Sequence, residues 1–591
     1  MPHRDVEHIR RPISHHVAQQ GALHTTRLQH LLPSSPESRE MKRLQLSSLL
    51  AFLLCTTAHP SHAETSCTLK YTPREEQAQT VILSPSPSLP AQSSNPIANN
   101  FVSLSIAIHW FQDYTRQGTD ASQPNTFTRN LLNSLAESSG GIAPQIRIGG
   151  TSADRTTYVT REEQEETIKT VSGSNGIPIN VTINPLWFER CFEDATFPPT
   201  TKFVFDVPLV RNDSGAVNNT VRGAGWALQA IGKDRFQAFE IGNEEDLYTD
   251  QGVVPRNWTV ADYVGRWREF SGAIYDSVIK NSEIGKDGEK NWFQGLVFSG
   301  LGANKPDWTT ATAFNAEINQ DGFVRSVSLH NYPAGSAPWV TLGRTFMNHA
   351  AIVGNISQVG DDIAFLASST QTQGIDFVLG ETNSDFVNLG MDQFEGVLGS
   401  ALWGIDYLLY AAFSNVKRVN LHQGTTFGYS AWQPVPVDGV QPKVRPPWYA
   451  LKFAAEAIGS HNGPIQIATL TSPSQEKMSG YALYDSGKLA RLAIINFEEW
   501  NRTTPYPRPN TTFSVRGLPI KGATGRRLTA PGGASADTDV TFGGVRWNFS
   551  SNGLPEDVEG VPGEIKLDVG QDGVVDVVVG ASEAMLVTLD L

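Results

Sequence analysis

Two strings in the sequence put a carboxylate where chemistry could be done. Phe239-Glu240-Ile241-Gly242-Asn243-Glu244-Glu245-Asp246 and Phe377-Val378-Leu379-Gly380-Glu381-Thr382-Asn383 each run from apolar, strand-like residues into a glycine and then a glutamate. Glycosidic-bond cleavage needs such a pair: one carboxylic acid to protonate the leaving oxygen, and one carboxylate to attack the anomeric carbon or activate water. Taken singly, either glutamate reads equally well as a loop carboxylate paired with an arginine. Set at the ends of two strands that meet at one mouth, Glu244 and Glu381 point to catalysis.

Three further strings surround that pair. Val327-Ser328-Leu329-His330-Asn331-Tyr332-Pro333 offers a phenol and an imidazole, whose hydrogen bonds can hold a carboxylate ionised and oriented; alone, it would read as a turn before proline with a packed tyrosine. In Arg147-Ile148-Gly149-Gly150-Thr151 the glycines would let backbone amides approach a ligand, although most Gly-Gly pairs are plain turns. Tyr429, in the string 423–429, stands as a subsite residue or a packed loop aromatic.

The elements that must position these residues show as apolar, β-branched runs alternating with helix-like stretches, the pattern of βα units on a parallel sheet. Eight strands are expected, at 102–108, 145–148, 202–209, 236–241, 295–299, 324–330, 376–379 and 416–421, with helices such as 259–281 and 394–413. Eight parallel strands predict an α/β fold, a (β/α)8 TIM barrel over 98–459, in which function lies at the C-terminal strand ends. From 460 to 591 short alternating segments between Gly, Pro, Asn and Asp turns predict a C-terminal antiparallel β-sandwich domain. Residues 64–97 form an N-terminal strand and linker: 79–83 could join the sandwich, and the Pro/Ser-rich 84–98 reads as irregular.

Composition narrows the class. The chain has 591 residues, with 46 Lys+Arg against 60 Asp+Glu, which argues against a nucleic-acid or anionic-membrane surface. Met41-Lys42-Arg43, the apolar run 44–55 and the small-residue exit Ser61-His62-Ala63 make a secretory signal peptide over 41–63. That run is too short for a membrane anchor, so a secreted, extracellular protein is expected. Residues 1–40 read as an extension upstream of the more natural start at Met41.

Removing 1–63 takes away seven basic and four acidic residues, so −14 becomes −17. The remaining histidines, His109, His330, His349, His422 and His461, form no HxxH or HExxH pattern, so no His-built zinc site is expected. Cys67 and Cys191 form one disulfide or stay as two buried thiols. Beside a signal peptide, the sequons at Asn180, Asn212, Asn218, Asn257, Asn355, Asn501, Asn510 and Asn548 suggest glycosylation.

The strings RIGGT (147–151), EIGNEED (240–246), SLHNYP (328–333) and LGETNSDF (379–386), with PPWYALKFAAEAIG (446–459) and the β-rich tail, resemble the clan A retaining glycosidases and, within them, glycoside hydrolase family 79 over about residues 67–591. The resemblance implies Glu244 as acid/base, Glu381 as nucleophile, Asn243 as partner of a sugar 2-hydroxyl, and Tyr332 with His330 as groups orienting Glu381. It implies no cofactor and no metal. The family reads the glucuronate carboxylate with a tyrosine and glycine amides shortly after the nucleophile. Here that stretch is Phe386-Val387-Asn388-Leu389-Gly390, which lacks the hydroxyl and points to Asn388 and loop amides instead. His109 stands at the end of strand one, where heparanase-like members have aspartate.

The resemblance thus implies a retaining exo-β-glucuronidase acting on terminal β-D-glucuronic acid, or its 4-O-methyl ether, in glycans. The acidic balance disfavours endo-cleavage of a sulfated polyanion. A clan A exo-glycosidase with a neutral substrate and a catalytically silent carbohydrate-binding protein are the competing readings.

Overall fold

The computed structural model describes residues 79–118, 120–174, 176–193, 195–300, 304–335, 337–386, 391–459 and 463–591. The signal peptide, the upstream extension, Cys67, His461 and the loop residues Asn388 and Gly390 lie outside them.

Strand β1 (Gln79–Leu83) is followed by eight strands that close on themselves: β2 (Val102–Ala107), β3 (Ile146–Gly149), β4 (Phe203–Val207), β5 (Phe236–Ile241), β6 (Phe293–Phe298), β7 (Val324–Asn331), β8 (Asp376–Thr382) and β9 (Arg418–Gln423). Every neighbouring pair is parallel, and β9 returns to β2. Helices flank strands buried on both faces, so β2 and β4 are buried at every residue. All eight expected strands are present, the one at 236–241 with both ends as expected and the others with an end shifted by up to three residues. A small three-stranded sheet (Thr156–Tyr158, Ile168–Ser172, Pro178–Ile183), absent from the sequence reading, is inserted between β3 and β4.

Register is broken where the chemistry lies. The β7–β8 ladder shifts between Leu329 and His330, so His330 pairs with Glu381; the β8–β9 ladder shifts between Leu379 and Thr382. Such irregularities re-aim side chains at a barrel rim. Gly380 is needed at this point, because an added Cβ would collide with Ser328 Oγ on β7.

The C-terminal region is a sandwich of two sheets. The larger contains β10 (Ile465–Thr469), β11 (Met478–Asp485) and β12 (Lys488–Asn496); the smaller pairs β1 in parallel with β13 (Asn510–Val515). Period-2 alternation buries both faces of the larger sheet. Tyr481, Leu483, Ala493 and Ile495 join the main core with barrel-side helices α1 (Leu398–Phe413) and α2 (Pro447–Ile458), while Ala482, Tyr484, Leu492 and Ile494 meet Leu83, Phe513 and Val515 in a second core. One buried network stitches the interface: Asp406 of α1 accepts from Tyr481 OH at 2.5 Å and lies 2.7 Å from His349 Nδ1.

Candidate active site

Glu244 leaves β5 through a bend that few residues tolerate. Gly242 has φ 87° and Glu244 itself φ 54°, a left-handed conformation unusual outside glycine. Neighbouring strand ends hold the bend: Gly242 N–H donates to Val207 O at 2.9 Å and Glu244 N–H to Val297 O at 2.8 Å. Asp154 tethers the same turn. Its carboxylate accepts the backbone N–H of Asn243 at 3.2 Å, Leu209 at 2.8 Å and Val210 at 3.2 Å, and the hydroxyl of Tyr248.

Glu381 sits in β8 facing the barrel axis and is 8% exposed. Arg147 Nη1 donates to its Oε2 at 2.6 Å and Tyr332 OH to its Oε1 at 2.9 Å, while His422 Nδ1 lies 3.4 Å from Oε2. Burial pushes the carboxyl up, but His422, His330, Arg147 and the Tyr332 hydroxyl together outweigh it and hold Glu381 at about 2. Burial drives His422 itself down to about 4, so above that pH it is neutral. Arg147 is therefore the permanent cation that keeps Glu381 ionised.

Arg147 is the hub of the site, and sequence reasoning missed it. It is fully buried: Nε contacts Glu240 at 2.5 Å, Nη2 donates to Asn243 Oδ1 at 3.0 Å, and Nη2 lies 3.7 Å from Asp206. Engaging the Asn243 carbonyl leaves its Nδ2 amide as the hydrogen-bonding end turned to a ligand. The glycine after Ile148 serves this arginine more than a substrate, since a Cβ on Gly149 would lie 2.5 Å from the guanidinium carbon. The signal was present: an arginine inside a fully buried parallel strand demands compensating carboxylates.

His330 contacts the other glutamate first. Its Nδ1 is 3.0 Å from Glu244 Oε1 and 4.0 Å from Glu381 Oε1, so it stands between the two and is not an orienter of Glu381 alone. Burial lowers its pKa, but Glu381 and Glu244 outweigh that and raise it overall. Burial and Glu381 lift the Tyr332 hydroxyl well above the ordinary range, so it remains a donor. Glu244, His330 and Glu381 each present a ligand atom within 4.8 Å of the others. These atoms are already engaged by Arg147, Tyr332 and one another, a poor donor set for a cation.

The other expected residues fall as follows. Thr151 opens a one-turn helix, Thr151–Asp154, beside Gly150, whose built Cβ would be 3.7 Å from Glu381 Oε2. Tyr429 is buried, its ring 6.4 Å from His422 and 5.4 Å from Phe427. Phe386 is exposed and edge-on to Tyr332, with ring centroids 6.4 Å apart. His109 stands just past β2, and burial plus His422 drives it down to about 3. Ser105 joins the two halves of the site, 3.0 Å from His422 Nδ1 and 3.3 Å from Arg147 Nη1.

The covalent expectations divide. Cys191 is wholly buried and its thiol is pushed up to about 12 by burial, while its expected partner Cys67 lies outside the described residues. Asn180, Asn212, Asn218, Asn257 and Asn510 are exposed. Asn355 is not: at 8% exposure, packed beside β7, it cannot carry a glycan on the folded surface. Asn548 is also engaged, because its amide nitrogen donates to Glu556 at 2.6 Å.

Residues 480–586 match the glycosyl hydrolase family 79 C-terminal beta domain. A β-glucuronidase of Neurospora crassa is 30% identical over 78% of this chain and 86% of its own length, and one of Aspergillus niger is 28% identical over 92% and 98%. Among solved structures, a 4-O-α-L-rhamnosyl-β-D-glucuronidase from Fusarium oxysporum is similar in fold (TM-score 0.69, 22% identity, 86% of this chain and 100% of that one). A family 51 arabinofuranosidase of Xanthomonas axonopodis is more distant, at TM-score 0.53 and 14% identity over 87% of this chain and 100% of that one.

Proposed function

Since the chain belongs to glycoside hydrolase family 79, we propose that it is a retaining exo-β-glucuronidase that removes terminal β-D-glucuronic acid from glycans, with Glu381 as nucleophile and Glu244 as acid/base. The observation that carries the stereochemistry is the approach of the two carboxylates to within 4.8 Å. Retaining enzymes hold them about 5–5.5 Å apart, whereas inverting enzymes need ~6.5–9.5 Å to admit a water.

In the first step a Glu381 oxygen attacks the anomeric carbon, the glycosidic C–O bond breaks, and Glu244 gives its proton to the departing oxygen. A glycosyl ester on Glu381 results. Arg147 and Tyr332 keep Glu381 ionised and fixed beforehand, and His330 Nδ1, 3.0 Å from Glu244 Oε1, engages that oxygen and leaves Oε2 facing the leaving group. Esterification removes the charge on Glu381. Glu244, now a carboxylate, takes a proton from water, whose oxygen attacks the anomeric carbon and releases Glu381. The Nδ2 amide of Asn243, whose carbonyl is taken by Arg147, donates to the sugar 2-hydroxyl through both transition states.

The net charge of −14 favours a small uronate pocket over a groove for a sulfated polyanion. The test is Glu381→Ala with azide and an activated aryl β-glucuronide: the α-glucuronyl azide is expected, and wild-type turnover by that variant would overturn the nucleophile. Five exposed sequons and the leader pattern support a secreted glycoprotein; a mass decrease of medium-borne protein after deglycosylation tests this.

A further inference from the structure

The small sheet inserted between β3 and β4 carries apolar surface that neither the barrel nor the sandwich covers. Among the described residues, three of the exposed large apolar side chains fall together within 171–179: Val171 (44%), Ile177 (49%) and Ile179 (59%). An exposed apolar side chain standing alone is ordinary, whereas a group of them on one face calls for a cover.

The register gathers them on one face. The segment 178–183 runs in the middle of the sheet, between 156–158 and the outer strand 168–172. The inner face is closed, because Tyr158, Val181 and Ile183 are wholly buried. Alternation then breaks at a β-bulge: Val171 lies opposite Asn180 and Ser172 opposite Pro178, so Ile179 is the extra residue, and it and Asn180 are both exposed. Residues directly opposite in an antiparallel pair carry their side chains on the same face, with Cβ atoms about 4.5–5.5 Å apart. Asn180 therefore emerges beside Val171 and next to Ile179, and Ile177 closes the hairpin between the two strands, its carbonyl accepting Gly173 N–H at 2.9 Å.

The residue at the middle of this patch is the acceptor of a sequon, Asn180-Val181-Thr182. An oligosaccharide joined there begins on the apolar face itself. A pyranose ring has a C–H face as well as hydroxyls, so the first sugar can lay the former on Val171 and Ile179 while its hydroxyls stay in water, and apolar area leaves the solvent without a second protein chain. A second copy of the chain docking on the same face would first have to displace that sugar.

We propose that a glycan on Asn180 is the cover of this face, its first N-acetylglucosamine packing on Val171 and Ile179 and shielding the sheet from self-association. This deepens the secreted-glycoprotein reading and rests on it. The test uses the full chain secreted from a eukaryotic host, with three readouts: glycopeptide occupancy at Asn180, fluorescence of an apolar dye, and the concentration at which light scattering reports self-association. Asn180→Gln and Thr182→Ala each delete the sequon; both are expected to raise dye fluorescence ~3-fold and to lower the onset of self-association ~10-fold in concentration, with kcat/KM on an aryl β-glucuronide unchanged. Adding Val171→Thr and Ile179→Thr to Asn180→Gln should return both readings to the wild-type values, which a general folding defect would not allow. An unoccupied Asn180 in protein glycosylated elsewhere, or unchanged dye binding and scattering in both sequon variants, would overturn the cover alone. So would a glycosylated wild type that forms an oligomer broken by Ile179→Asp, since the face would then belong to a second copy. Medium-borne protein with no carbohydrate on any asparagine would sink the glycoprotein reading and the cover with it.

Discussion

Arg147 Nη1 lies 2.6 Å from Glu381 Oε2, and the arginine making this contact is fully buried. The same guanidinium also balances Glu240 and Asp206, so one side chain holds Glu381 ionised and neutralises the acidic floor beneath it.

Arg147→Met is therefore expected to cost about 3–5 kcal/mol of stability, because it strands buried carboxylates, and to abolish turnover. Gly149→Ala is the sharper variant. Its added methyl displaces the guanidinium without removing the charge, so kcat should fall by roughly 100-fold with a much smaller drop in Tm. Equal losses of stability in both variants would contradict the displacement.

Tyr332→Phe removes a hydrogen bond that lowers the Glu381 pKa. The acid limb of kcat/KM, which reports ionisation of Glu381 in the free enzyme, should move to higher pH, and kcat should fall ~10–100-fold. A pH profile measured on an aryl β-glucuronide checks the direction.

Glu244→Gln removes the proton donor and leaves the nucleophile. Glucuronides with poor leaving groups should lose ~1000-fold or more, whereas activated aryl glucuronides should form the glycosyl ester and stall there, visible as a burst of phenol.

His109 and His422 are held neutral at about 3 and 4 against an unfolded value of 6.5. Between those limits the unfolded chain binds more protons, so their contribution is full above pH 6.5 and is lost as pH falls toward 4. The loss is at most about 1.4 kcal/mol per pH unit for each imidazole. His422→Gln should flatten the slope of Tm against pH in that window.

Asp406 is wholly buried and ties His349 of the barrel to Tyr481 of the sandwich. Asp406→Ala leaves both partners unpaired and is expected to lower stability by about 3 kcal/mol, with little change in kcat below the melting transition. Thermal unfolding alongside initial rates separates the two effects.

Much of this was legible in one dimension. Apolar runs spaced by helix-length segments gave eight strands because a parallel barrel buries both strand faces, and the pairing of Glu244 with Glu381 follows from a carboxylate placed where such a strand ends. The contacts of His330 were harder, because its partner depends on a register shift between β7 and β8 that no residue pattern encodes. The small sheet within 156–183 was missed because 156–158 is only three residues long and neither 168–172 nor 178–183 shows clean alternation.

The sequence by itself determined the barrel, the sandwich and the glutamate pair, since these rest on local periodicity and residue type. The tertiary structure alone decided that Arg147 governs Glu381, that Asp154 anchors the turn carrying Glu244, that Asn355 is buried, and that Phe386 is exposed beside Tyr332. Each depends on side chains far apart in sequence meeting across the barrel, and the energy of a buried charge is set by those neighbours rather than by its place in the chain.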